Sequence, residues 1–225
     1  MSENKKCKLI LEGISMNGIK RWHASFIMTV LFNTSAAMAE LTANITLTSN
    51  YVTNGISQTG DKPALQVGFD YEHKSGLYVG TWASNVDPGY EADVYAGYTK
   101  ATDNLGFDVG YTSFNYSDNN FDEDTSEIYI GCICKAGLIF YSVGKFQGFD
   151  YEYYELISEY ETDSGVSIGL HYGLVKIDDL NTDYYDYDIS VSKLYKGFKF
   201  AVTYSVGEFA DDEISYLSMT KEFEL

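Results

Sequence analysis

Residues 197–206 read GFKFAVTYSV. Phe198, Phe200, Val202, Tyr204 and Val206 alternate there with Lys199, Ala201, Thr203 and Ser205. A side-chain period of two puts the first set on one face of a β-strand and the second set on the other. A helical period would scatter both. The same alternation recurs upstream. Tyr90, Ala92, Val94, Ala96 and Tyr98 oppose Glu91, Asp93, Tyr95 and Gly97. Tyr185, Tyr187, Ile189 and Val191 oppose Asp186, Asp188 and Ser190. Val166, Ile168, Leu170, Tyr172 and Leu174 oppose Ser167, Gly169, His171 and Gly173.

About twelve such runs succeed one another, each near the ten residues that a tilted membrane strand needs. They lie near 41–53, 63–73, 76–86, 90–100, 104–115, 126–135, 137–146, 150–162, 164–174, 183–195, 197–207 and 213–225. Two runs, 76–86 and 150–162, have mixed faces, and the run at 104–115 is expected to slip near Ser113. With 21 Tyr, 13 Phe, 20 Gly and only two Pro, the composition favours strands over helices.

Every second connection is tight: His73 to Gly76, Thr99 to Asn104, Lys135 to Gly137, Thr162 to Gly165 and Tyr195 to Gly197. The alternate ones are longer or more acidic, such as Tyr116 to Thr125, Lys176 to Tyr184 and Gly207 to Glu213. Short turns at one end and longer loops at the other predict an all-β, transmembrane, antiparallel up-and-down β-barrel of about 12 strands, with 10 or 14 as alternatives. A soluble β-sandwich also alternates. The barrel is favoured because the polar faces carry small and acidic residues suited to a lumen: Gly68, Gly97, Gly110, Gly131, Gly169 and Gly173 with Asp70, Asp93, Asp108, Asp186 and Asp188. Tyrosines near strand ends (Tyr51, Tyr71, Tyr90, Tyr111, Tyr154, Tyr195) read as aromatic girdles. The last residues, Leu217, Met219, Lys221, Phe223 and Leu225, share one face and resemble the C-terminal signal read by the barrel-assembly machinery, without its usual final aromatic.

At the other end, Lys20 and Arg21 precede a short apolar stretch from Ala24 to Phe32 and then Ala37-Met38-Ala39. This order reads as a secretory signal peptide over 1–39, cleaved after Ala39, with Met16 as an alternative start. A single barrel domain over 40–225 would remain. Losing five basic and two acidic residues takes the net charge from −18 to −21 and leaves no arginine. A nucleic-acid partner is excluded on that ground, since phosphate binding needs clustered cations. Cys132 and Cys134, two apart in a strand, point to one face, which suits apolar packing better than a disulfide or a metal pair.

Residues 49–59 read SNYVTNGISQT, a strand end running into a loop with no hydrophobic block to bury. Together with residues 60–86, this stretch resembles the Gcw_chp family, also known as the TorF type of proposed porins. The matching positions are Ser49, Asn50, Tyr51, Gly55, Ser57, Gln58 and Thr59, then Pro63, Ala64, Gln66, Gly68, Asp70, Tyr71 and His73, then Ser75, Gly76, Tyr78, Gly80, Trp82, Ser84, Asn85 and Val86. Asn54 stands where the family pattern usually has Arg. The resemblance implies an outer-membrane barrel and a channel function, without a substrate.

The expected function is therefore an outer-membrane porin for small solutes, favouring cations because lumenal carboxylates lower a cation's energy and repel anions. The expected pore-lining residues are Gln66, Asp70, Glu91, Asp93, Asp108, Asp186 and Asp188. Outer-membrane lipid, the assembly machinery and small solutes or cations are the expected partners, and no cofactor is expected. The alternative is a non-channel barrel that presents acidic loops for binding or adhesion. In that reading the oxygen-rich loop Ser117 to Asp124 is a candidate Ca²⁺ ligand, although it lacks EF-hand spacing. An enzyme is not expected. His73 and Ser75 fall in a tight turn, and Ser167 lies about 13 Å along the strand from His171.

Overall fold

The computed structural model describes residues 40–102, 105–117, 125–134, 137–146, 148–177, 182–208 and 212–225. The signal-peptide expectation falls outside them. The described residues form fourteen strands in chain order. β1 is Glu40–Thr48, β2 Val52–Thr53, β3 Ile56–Ser57, β4 Ala64–Glu72, β5 Leu77–Asn85, β6 Tyr90–Ala101 and β7 Leu105–Tyr116. They continue as β8 Thr125–Cys134, β9 Gly137–Phe146, β10 Phe149–Glu161, β11 Val166–Ile177, β12 Thr182–Tyr195, β13 Phe198–Gly207 and β14 Asp212–Glu224.

Twelve of these close into one antiparallel barrel in the order β1-β14-β13-β12-β11-β10-β9-β8-β7-β6-β5-β4. Sequence neighbours pair, so the topology is up-and-down, and the seam joins the first barrel strand to the last. There Thr46 lies opposite Thr220, with their hydroxyls 2.8 Å apart. Closure leaves no strand edge exposed.

Alternation orients every wall. Leu47, Phe69, Val94, Ile130, Leu170 and Val202 stand exposed on the outside, while Thr46, Gln66, Asp93, Gly131, Gly169 and Thr203 are buried inside. A soluble sandwich would bury the apolar set, whereas a barrel in lipid turns it outward. Tyr71, Tyr90, Tyr111, Tyr154 and Tyr195 are on this outer surface. Cys132 and Cys134 are on it too, both as free thiols.

Tight turns close one end. Lys196 and Gly197, with φ of 51° and 76°, make the two-residue link from β12 to β13, in which Tyr195 pairs with Phe198. Two consecutive left-handed residues match the twist of the flanking strands.

Three expectations need correction. The run at 41–53 is not one strand, because β1 stops at Thr48 and β2 and β3 form a separate two-stranded sheet. Tyr51 is not in the girdle but buried against Trp82, at a ring-centroid distance of 5.5 Å. The run near Ser113 does not slip. β7 keeps its register with β6 and β8 throughout, and Phe114 is an aromatic side chain that faces inward. The mixed faces also resolve, with Tyr78 and Trp82 on the inner face of β5 and Tyr153 and Glu155 on the inner face of β10.

Candidate functional site: the barrel lumen

The inner face is built around a recurring device in which a tyrosine ring lies flat over a glycine of the next strand. Tyr95 of β6 covers Gly80 of β5 and hydrogen-bonds Asp70 of β4, the three residues lying side by side in register. Tyr151 of β10 covers Gly144 of β9 and donates to Glu127 of β8 at 2.9 Å. Tyr78 and Tyr129 approach each other over Gly97 and Gly110, their hydroxyls in contact, and Tyr78 donates to Asp108 at 2.7 Å. Glycine is needed at these points because a Cβ at Gly97 or Gly110 would sit 2.3 Å from a phenol oxygen. The rings are thereby held against the wall and kept off the barrel axis.

A second group gathers on β10, β11 and β12. His171 Nε2 lies 3.0 Å from Glu155, and its Nδ1 lies 3.3 Å from Asp186 and 3.5 Å from Asp188. The Tyr153 hydroxyl is 3.1 Å from Nε2. Register explains the gathering, since Gly173 pairs with both Glu155 and Asp186 while His171 pairs with Asp188. The ring nitrogens meet carboxylates and a phenol and no serine, so the arrangement is not a nucleophile pair. His73 Nδ1 does reach Ser75 Oγ at 2.9 Å, but in an exposed turn with no carboxylate on His73 among the described residues. Among the described residues, no group of three or more His, Cys, Asp or Glu is arranged to hold a metal ion. Apart from Ser117, the acidic loop to Asp124 lies outside the described residues.

All seven expected pore-lining residues stand on the inner face. Gln66, Glu91, Asp93, Asp108 and Asp186 are buried, and Asp70 and Asp188 are half-buried. They do not converge on one point. Asp186 and Asp188 meet at His171. Glu91 accepts a 2.5 Å hydrogen bond from Tyr116. Asp70 and Asp108 are each tied to a tyrosine. The lumen also holds His171, which alternation in the sequence already sets on the polar face, and Glu127 and Glu155, which the sequence pattern does not single out. Glu155 is legible only through the register that sets it beside His171. The inner basic side chains on the barrel strands are His171 and Lys199, the latter 3.7 Å from Glu159.

The SNYVTNGISQT segment enters the barrel. Tyr51 to Ile56, Gln58 and Thr59 are all buried. Val52 pairs with Ser57 and Thr53 with Ile56 around Asn54-Gly55, whose φ values of 51° and 72° make a two-residue turn of mirror-image type. Asn50 pins the base. Its Oδ1 accepts from Ser57 Oγ at 2.7 Å and from Thr59 Oγ1 at 3.0 Å, while its Nδ2 donates to Asp61 at 2.8 Å. The Gln58 amide donates to the Tyr51 carbonyl at 2.6 Å. The tip reaches β13, where a Cβ on Gly55 would lie 2.3 Å from the Gly207 Cα. The Asn-Gly dipeptide between β-branched residues is a strong hairpin signal, present in the sequence itself. The other matched residues serve this build. Ser49 binds the Leu217 backbone, Asn85 Oδ1 accepts from the Leu65 amide, and His73 to Gly76 form the turn between β4 and β5.

Comparison of folds places the chain beside solved porins. It matches the KdgM porin with a TM-score of 0.55 at 10% identity, over 81% of this chain and 98% of that one. It matches the KdgM porin in complex with disordered oligogalacturonate with a TM-score of 0.54 at 9% identity, over 82% and 98% of the two chains. The NanC porin gives a TM-score of 0.53 at 10% identity, over 81% and 97%. At such identities the likeness is one of fold. No curated protein matches. A family described as "Bacterial protein of unknown function (Gcw_chp)" matches residues 33–223, nearly the whole barrel and its internal hairpin, and the chain belongs to that family.

Proposed function

We propose that the protein is an outer-membrane porin through which small solutes diffuse passively, cations ahead of anions. The observation that carries this reading is the charge of the inner wall. Carboxylates from β4, β6, β7, β8, β10 and β12 face inward, against His171 and Lys199 as the inner basic groups on the barrel strands. Inside a low-dielectric wall such charges act over much of the width of a narrow lumen at moderate salt. They lower the energy of a passing cation and raise that of an anion. The fold shared with solved porins and the apolar outer surface support the membrane setting. One of those porins is seen with oligogalacturonate, a polyanion. An inner face this acidic disfavours such a passenger here.

The test is single-channel recording of the refolded mature chain in a planar bilayer under a KCl gradient. Discrete steps with a reversal potential on the K⁺ side are expected. A reversal potential on the Cl⁻ side would overturn the cation preference. Silence from protein shown by heat-modifiable gel mobility to be folded would overturn a pore that stands open in this chain as it is.

A further inference from the structure

We infer that the hairpin of β2 and β3 closes the extracellular half of the lumen and sets how much the pore passes; this rests on the porin reading above. Twelve strands about 4.8 Å apart, tilted by about 40°, enclose a backbone circle roughly 24 Å across. A two-stranded ribbon with its side chains fills about 10 Å of that width. The base of the hairpin packs on β5 through Tyr51 and Trp82, and its tip meets β13 at Gly207. Between those strands lie β4, β1 and β14, so the hairpin crosses inside a third of the circumference.

Burial follows the hairpin. Along β6, Glu91 is 0% and Asp93 1% exposed, whereas Thr99, nearer the tight turns, is half-buried. Along β10, Tyr153 is 1% exposed, whereas Glu159 and Glu161 are exposed. At the hairpin's level, every barrel strand from β4 through β13 contributes at least one buried inner residue, and so does β1. On β6 and β10 the lumen is thus filled toward the loops and opens toward the turns, whereas on β7 and β8 the inner residues Asp108 and Ile133 stay buried close to the turn.

The composition of the segment fits a plug inside an acidic wall. From Ser49 to Gly60 there is no charged residue in a chain with 33 acids. A carboxylate carried into this space would meet the field of Glu91 and Asp93, while a neutral ribbon enters at no such cost. The seat at Gly207 fixes the position, because neither glycine can carry a side chain without pushing the two backbones apart.

The experiment compares the mature chain with a variant in which Val52–Ser57 is replaced by two glycines. Tyr51 and Gln58 are already hydrogen-bonded to each other, so a two-residue turn closes the gap. A folded deletion variant is expected to conduct at least about twofold more than the parent, as a wider lumen does. Gly207→Val leaves the hairpin's own turn untouched but unseats its tip, because a Cβ there would lie 2.9 Å from the Asn54 carbonyl oxygen and the Gly55 Cα, and it is expected to raise conductance in the same direction. Asn54→Asp is isosteric and suits the left-handed turn. It places a charge at the tip and is expected to raise K⁺ over Cl⁻ selectivity about twofold. Equal conductance in parent and both opened variants would overturn the inference and leave the porin standing. A silent parent with conducting variants would support it and show the parent closed at rest. Silence from all three, folded, would overturn both.

Discussion

At the residue scale, the inner glycines decide where the aromatic rings go. Gly110 faces the lumen beneath Tyr129, and a Cβ there would lie 2.3 Å from the phenol oxygen. Gly110→Val must therefore drive the ring off its shelf, break the contact with Tyr78, and push an aromatic side chain toward the axis. Overpacking of this kind costs about 1–3 kcal/mol. We expect a lower urea midpoint for the folded barrel, read by heat-modifiable mobility, together with reduced conductance. Gly165, whose Cβ would meet nothing within 4 Å, provides the control. Its φ of 71° is one that Asn accepts, so Gly165→Asn is expected to leave both readings unchanged. If Gly110→Val were as stable as Gly165→Asn, the Tyr–Gly shelf would not be a structural constraint.

At the element scale, alternation carries the fold, and two measurements check it. Leu170 and Ser190 both lie near the middle of neighbouring strands, one on each face. A charge on the lipid face at mid-depth costs about 2–4 kcal/mol, whereas an arginine in the lumen finds water and carboxylates. Leu170→Arg is therefore expected to lose folded barrel in lipid vesicles and Ser190→Arg to keep it. The reverse result would invert the barrel. Truncation after Tyr216 removes all of the pairing between β14 and β1, from Thr48↔Ser218 to Thr42↔Glu224. That opens the seam, and no heat-modifiable band is expected.

The same elements show what the sequence could and could not yield. Runs such as 197–206 reveal strand, face and approximate ends because each residue type agrees with its side of the wall. Where inner and outer residues are alike in type, the pattern fails. Tyr78 and Trp82 on β5, Tyr153 on β10 and Phe114 on β7 are inward aromatics that hydrophobicity alone sends outward. The same rule sends Tyr51 to a girdle, although the Asn54-Gly55 turn beside it already marks a hairpin. Contacts between strands, such as Glu155 with His171, depend on register across pairings, which no single run contains.

At the scale of the whole molecule, the net charge of −18 is distributed with a purpose only if the inner carboxylates act on what passes. Asp93 and Asp186 stand on β6 and β12, well apart around the closed sheet. Both are fully enclosed, so each acts through a wall of low dielectric. Asn has nearly the same shape as Asp, so Asp93→Asn and Asp186→Asn together remove two charges with little change in packing. The ratio of K⁺ to Cl⁻ permeability is expected to fall severalfold in 0.1 M salt, where the screening length is about 10 Å, and to fall less in 1 M salt, where it is about 3 Å. Asp150, exposed on β10 with Lys145 at 3.5 Å, is the comparison. Its charge faces outward into solvent, so Asp150→Asn is expected to leave the reversal potential where it was. If the double variant behaved like Asp150→Asn at both salt concentrations, the inner carboxylates would lie outside the permeation path. The selectivity of the pore would then have to be sought in the loops.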